Sequence, residues 1–135
     1  MIIIASLLFL LDRIFKFIFL AKGSSYIVNT GMAFGILDEK LNWVIIAQII
    51  ITSLIFIYAV KHGFRTHKGG TMLLIITGSI SNLIDRFVYN GVIDYIDISR
   101  IPKFNIADTT IVVGVILLLL EELYEYFNEN HSKRK

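Results

Sequence analysis

Four long apolar runs separated by short polar stretches set the pattern of this chain: about Ile2 to Leu20, Leu41 to Val60, Thr71 to Phe87 and Ile106 to Leu123. A helix rises about 1.5 Å per residue and the hydrocarbon core is roughly 30 Å thick, so about 20 apolar residues suffice to cross it. The pattern therefore predicts an all-α membrane protein, a four-transmembrane-helix bundle in which residues 1–135 form a single integral membrane domain. The third and fourth runs are short or interrupted at ends that carry aspartates, which places those ends near an interface, lining a polar cavity. Between them, Val92 to Ile98 alternates as a short extended or β element, with Asp94 on the side of Val92 and Ile96 and Asp97 on the other. Pro102 marks the loop before the last helix, and Asn105 or Asp108 is placed to cap it.

Basic residues orient the bundle. The connection between the second and third runs carries Lys61, Arg65 and Lys68 without an acid, and the tail ends in Lys133, Arg134 and Lys135. By the positive-inside rule these regions are cytoplasmic, so both termini lie inside, and Asp94 and Asp108 lie toward the outer leaflet. The first run lacks a basic leader and holds Asp12 and Lys16 in its middle, which reads as a retained span rather than a cleaved signal peptide. Tyr26, Phe34 and Trp43 suit the headgroup level.

Composition agrees with a lipid-covered chain: 56% of its 135 residues are hydrophobic and 18% charged. A net charge of +2 gives no reason to expect a nucleic-acid partner. The chain has no cysteine, which excludes thiol catalysis, disulfides, cysteine-ligated zinc and a lipid anchor on its own cysteine. His62, His67 and His131 lie in the cytoplasmic connection and tail without metal-ligand spacing, and Glu121, Glu122 and Glu125 read as a cytoplasmic helical extension.

In so apolar a chain each acid near a span needs an explanation, and function is the default one. Asp94 and Asp108 stand out as a candidate pair. N-capping is the simpler role for Asp108. Asp12 and Lys16, four apart with the acid first, either form an ion pair that offsets its own desolvation or support the site. On a helix Asn82, Asp85 and Arg86 share a face that cannot look at lipid. They either cap the helix end or work in the site, Asn82 binding substrate backbone and Arg86 holding carboxylates or a peptide carbonyl. Gly78, Ser79 and Ser81 before them permit close approach of another helix or a substrate. The segment Asn29-Thr30-Gly31-Met32-Ala33-Phe34-Gly35 reads most simply as a turn with an aromatic anchor.

Taken in order, these stretches resemble the lipoprotein signal peptidase family, the signal peptidase II membrane aspartic peptidases, along nearly the whole chain. The resemblance rests on Asp12 to Lys16, on Asn29 to Gly35, on Asn82-Leu83-Ile84-Asp85-Arg86 followed by Gly91-Val92-Ile93-Asp94-Tyr95-Ile96, and on Phe104-Asn105-Ile106-Ala107-Asp108 with Ile111 and Gly114. It implies a catalytic pair at Asp94 and Asp108, with Asp12, Lys16, Asn29, Gly31, Asn82, Arg86 and Asn105 as supporting or substrate-contacting residues. It implies no metal or cofactor. The implied substrate is a diacylglyceryl-modified prolipoprotein, cut just before its lipidated cysteine at the outer face of a bacterial inner membrane, by an enzyme that is monomeric among membrane lipids. The segment from Gly31 to Gly35 would then fold over the site as a lid. Where the family commonly has two alanines this chain has Met32 and Ala33, and Thr77, Ser81 and Thr109 stand where it favours glycine, glycine and serine.

Two carboxylates within about 3 to 5 Å share a proton near neutral pH, so one can act as base on water while the other acts as acid toward the carbonyl. Two other readings stand beside this one. A magnesium-dependent phospholipid-processing enzyme would use Asp85, Asp94, Asp97 and Asp108 as oxygen ligands. A non-catalytic lipid-binding subunit would use its charges only to brace the bundle.

Overall fold

The computed structural model describes residues 1–23, 25–31 and 41–132. Four helices account for most of it: α1 (Ile2–Lys22), α2 (Leu41–His62), α3 (His67–Tyr89) and α4 (Ile106–Ser132), with strands β1 (Ile27–Asn29) and β2 (Val92–Asp94) between them. Met32, the expected lid beyond Gly31, the Phe34 anchor and the basic tail from Lys133 to Lys135 lie outside the described residues.

Local chemistry sets the helix ends. Gly23 closes α1 at φ 62, in the left-handed region that glycine enters without penalty. Helix α3 begins at His67, before the apolar run does, because the Thr66 hydroxyl accepts from the Gly69 N–H at 3.1 Å and caps the extra turn. Asn90 ends that helix at φ 56. Among the described residues two helices, Asn42–His62 and His67–Tyr89, are long and apolar enough to cross a membrane. The other two are as long but carry more charge: Asp12, Arg13 and Lys16 in α1, and Glu121, Glu122 and Glu125 in α4.

Large apolar side chains cover the outside, with Ile3 and Phe17 of α1, Leu54 of α2 and Leu119 of α4 all more than half exposed. An apolar exterior of this extent fits lipid rather than water. Inside, α3 is the central element, packed against each of the other three helices. Small residues let it come close. A Cβ on Gly78 would lie 2.5 Å from the Ala107 carbonyl oxygen, and one on Gly114 would lie 2.7 Å from Ile75 Cγ1. An apolar cluster of Ala59, Met72 and Ile76 fills one part of the interior, whereas the part nearer the strands is polar.

The strands pair antiparallel, Ile27 with Asp94, Val28 with Ile93 and Asn29 with Val92. Ile27–Asn29 is thus an edge for β2, ending where the segment read as a turn begins; of that segment only Asn29 to Gly31 lie among the described residues. A further bridge joins Ile96 to Phe104 and brings the chain back to the start of α4.

Candidate active site

Asp94 ends β2 and is buried, with its neighbour Asp97 exposed and paired to Lys103 at 3.2 Å. Alternation along the strand accounts for the difference, since adjacent side chains leave on opposite faces. Asp108 stands in the first turn of α4. There it forms a reciprocal cap with Asn105: the Asp108 N–H donates to Asn105 Oδ1 at 2.8 Å, and the Asn105 N–H donates to Asp108 Oδ2 at 3.1 Å. The capping role expected for either residue thus belongs to both.

Asn105 is also what joins the two acids, because its side-chain amide donates to Asp94 Oδ1 at 2.7 Å. Asn29 Nδ2 donates to the other Asp94 oxygen at 2.9 Å, and Asn82 Nδ2 donates to Asp108 Oδ1 at 2.7 Å. Each of the four carboxylate oxygens therefore accepts one hydrogen bond within the chain. An ionised carboxylate has about four lone-pair sites to offer, so capacity is left for a water or substrate atom. Burial pushes the Asp94 carboxyl up to about 6, helped by the charge of Asp108 and opposed by the Asn29 and Asn105 donors and by Lys16.

Behind this pair lies a buried charge cluster. Lys16 Nζ meets Asp12 Oδ2 at 2.9 Å, Asp85 Oδ2 at 2.7 Å and Asn82 Oδ1 at 2.9 Å, so all three ammonium protons have partners. The contact with Asn82 also fixes which end of that amide faces Asp108. Asp85 pairs in addition with Arg13 and accepts from the Ile93 N–H at 3.2 Å, which ties α3 and α1 to the strand carrying Asp94. Asp12 accepts from the Ser81 hydroxyl at 2.6 Å, the Tyr95 hydroxyl at 3.2 Å and the Ala107 N–H at 3.1 Å. Burial and the Asp12 charge push the Tyr95 hydroxyl up, so it stays a donor.

Arg86, expected to hold carboxylates or a peptide carbonyl, donates Nη1 to Gln48 Oε1 at 2.8 Å and Nη2 to the peptide carbonyl of Gly31 at 3.1 Å. Gly31 in turn donates its N–H to Asn29 Oδ1 at 3.1 Å. Asp85 and Arg86 do not act as a helix-end cap; both are buried and engaged by other elements. A groove of about 490 Å³ lined by Asn42, Ile45, Ile46, Arg86, Phe87 and Asn90 runs between α2 and α3 at this end.

Asp94, Asp108, Asn105, Asn82 and Asn29 thus come together, with Asp12 and Lys16 one step behind and Gly31 and Arg86 to the side. Asp97 does not join them, and Asp85 is engaged by two cations. Among the described residues no three carboxylate or imidazole groups are arranged to hold a metal ion. The sequence reading missed Arg13, Gln48, and the hydroxyls of Ser81 and Tyr95 as partners of Asp12. Arg13 and Gln48 carried a usable signal, a polar side chain in the middle of an apolar run.

Comparison with known proteins gives this arrangement a context. The family described as signal peptidase (SPase) II matches residues 4–124. A lipoprotein signal peptidase of Halothermothrix orenii is 39% identical over 99 residues, covering 71% of this chain and 66% of that protein. One from Caldicellulosiruptor bescii is 40% identical over 111 residues, covering 82% and 73%. The chain thus spans about two thirds to three quarters of the length of these relatives. A solved structure described as a bacterial membrane enzyme superposes with a TM-score of 0.79 at 29% identity, covering 94% of this chain and 89% of its own.

Proposed function

The chain belongs to the signal peptidase II family, and from that premise we propose that it is an aspartic endopeptidase of the bacterial cytoplasmic membrane that removes signal peptides from diacylglyceryl-modified prolipoproteins. In this reading residues 1–135 form one membrane domain in which all four helices span, both termini are cytoplasmic, and the site lies near the outer leaflet. The excess charges of α1 support it, since Asp12 and Lys16 point inward and are fully buried.

The observation that carries the reading is the junction at Asn105, which holds Asp94 through its side chain and Asp108 through its backbone. The two carboxyls share a proton. The ionised one takes a proton from water as the water oxygen attacks the scissile carbonyl, and the protonated one donates to the carbonyl oxygen. The tetrahedral intermediate then collapses: the C–N bond breaks as the leaving amine takes the proton held by one carboxyl, and a hydroxyl of the intermediate returns its proton to the other, which restores the singly protonated pair. Asn29, Asn82 and Asn105 fix the lone pairs that remain free. Lys16 and Asp12 keep Asn82 oriented, and Gly31 and Arg86 brace Asn29. The diacylglyceryl chains stay in the bilayer and restrict the substrate to the depth of the pair, which places the bond before the lipidated cysteine within reach. The enzyme acts as a monomer and takes no cofactor in this scheme.

The test is cleavage of a diacylglyceryl-modified prolipoprotein by the purified protein in detergent with chelator present, beside Asp94→Asn and Asp108→Asn. Cleavage by the parent and its loss in both variants is expected. A well-folded parent that leaves the substrate intact would refute the assignment, and activity that needs a divalent cation would refute the mechanism.

A further inference from the structure

Gln48 sits in the middle of α2, where an amide without partners would be costly. It has two partners, and they impose an order. Its Nε2 donates to the Ser79 carbonyl at 2.8 Å. Only the NH₂ end of an amide can do this, so Oε1 is turned toward Arg86 and accepts from Nη1 at 2.8 Å. The guanidinium passes the constraint on: Nη2 donates to the Gly31 carbonyl at 3.1 Å, and the Gly31 N–H donates to Asn29 Oδ1 at 3.1 Å. With its oxygen so engaged, Asn29 has its Nδ2 directed at Asp94 Oδ2, 2.9 Å away.

We propose that Gln48 is a positioning residue of the site, acting through Arg86 and Gly31 to orient the Asn29 amide on Asp94. The proposal rests on the reading of Asp94 as a reacting carboxyl. Helix α2 contributes no hydrogen bond to Asp94 or Asp108 among those described, yet through this relay it sets the geometry of one of them. Arg86 makes the relay sensitive. It is 9% exposed, and its Nε has no partner among the described residues. Removing the acceptor at position 48 would leave a second nitrogen unsatisfied, and the guanidinium would turn to recover it, releasing Gly31.

The two ends of the Gln48 amide can be separated by substitution in the full chain. Gln48→Glu keeps an acceptor for Arg86 and gives up the donor to Ser79, whereas Gln48→Met keeps the bulk and gives up both. For cleavage of a diacylglyceryl-modified peptide, kcat should fall roughly tenfold in Gln48→Met with KM little changed, and Gln48→Glu should restore it to within about twofold. Hydrogen exchange of the Gly31 amide, followed by NMR in detergent, should be roughly tenfold faster in Gln48→Met and parent-like in Gln48→Glu. Parent-like kcat or parent-like Gly31 exchange in Gln48→Met overturns the proposal. Equal impairment of both variants also overturns it, because it marks Gln48 as an α2–α3 clamp through Ser79 alone. A parent without peptidase activity would refute the function assigned above, while the Gly31 exchange would still decide whether the relay exists.

Discussion

The two ends of α3 both take part in ion pairs, under opposite conditions. At one end Lys68 of α3 meets Glu122 at 2.8 Å and Glu125 at 2.6 Å, with the carboxylates 50% and 53% exposed. At the other, Asp85 and Lys16 meet at 2.7 Å with no side-chain exposure at all. Water screens the first group, and each of its pairs is worth about 0 to 1 kcal/mol. The second has given up its hydration, and apolar residues of the same volume would stabilise the bundle as well or better. Stability is therefore a poor reason for the buried cluster. Geometry is a better one, because Lys16 ends on Asn82, which donates to Asp108, Asp85 accepts from the Ile93 N–H beside Asp94, and Asp12 accepts from the Ala107 N–H beside Asp108.

Substitutions should widen this contrast in a definite order. The largest effect is on turnover: Asp94→Asn and Asp108→Asn should each lower prolipoprotein cleavage by about 10²–10⁴-fold, while Glu122→Gln leaves it close to the parent rate. If Glu122→Gln proved as damaging, the two ends would not differ in kind. Next comes Asp85→Ala, which strands Arg13 and Lys16 without a full set of countercharges and should cost about 3–5 kcal/mol in reversible unfolding in detergent. Gly78→Val should cost about 1–3 kcal/mol, since its Cβ would lie 2.5 Å from the Ala107 carbonyl oxygen, and turnover should fall with it because Ala107 precedes Asp108.

A smaller effect appears in the pH dependence of stability. The folded protein holds the Asp94 proton up to about pH 6, against an ordinary value of 3.8. Ionisation of Asp94 therefore opposes folding, and the stability that its proton contributes is fully present below about pH 4 and lost as pH rises through 6. Relative to the parent, Asp94→Asn should gain up to about 2 kcal/mol across that window. A pH-independent difference between the two unfolding curves would show that Asp94 titrates as an exposed acid does. Smallest of all, Lys68→Ala should change stability by less than about 1 kcal/mol, and salt should reduce even that.

How much of this was legible depended on the range of the interaction. The four helices follow from long apolar runs, and the helix boundary at Asn105 and Asp108 from chemistry within four residues. The inward face of Asn82, Asp85 and Arg86 follows from helical spacing, and the burial of Asp94 from strand alternation. Partners distant in sequence left no such trace. Ile27–Asn29 is too short to read as a strand until Val92–Asp94 lies beside it. Arg13 stands out in an apolar run, but nothing near it in sequence reveals Asp85, 72 residues away, as its partner. Arg86 is placed on the inward face by its spacing, but nothing local to it reveals Gln48 on α2 or which carbonyl it meets.

The cluster behind the site contains Asp12 and Asp85, Arg13 and Lys16, so its charges cancel. That balance restricts how the sequence can drift. A lineage that loses one of these four passes through a state with an uncompensated interior charge, and only a second change of matching sign restores neutrality. The four positions are thus coupled through their charge balance, whereas a single change at Lys68, Glu122 or Glu125 is screened by water and carries little penalty.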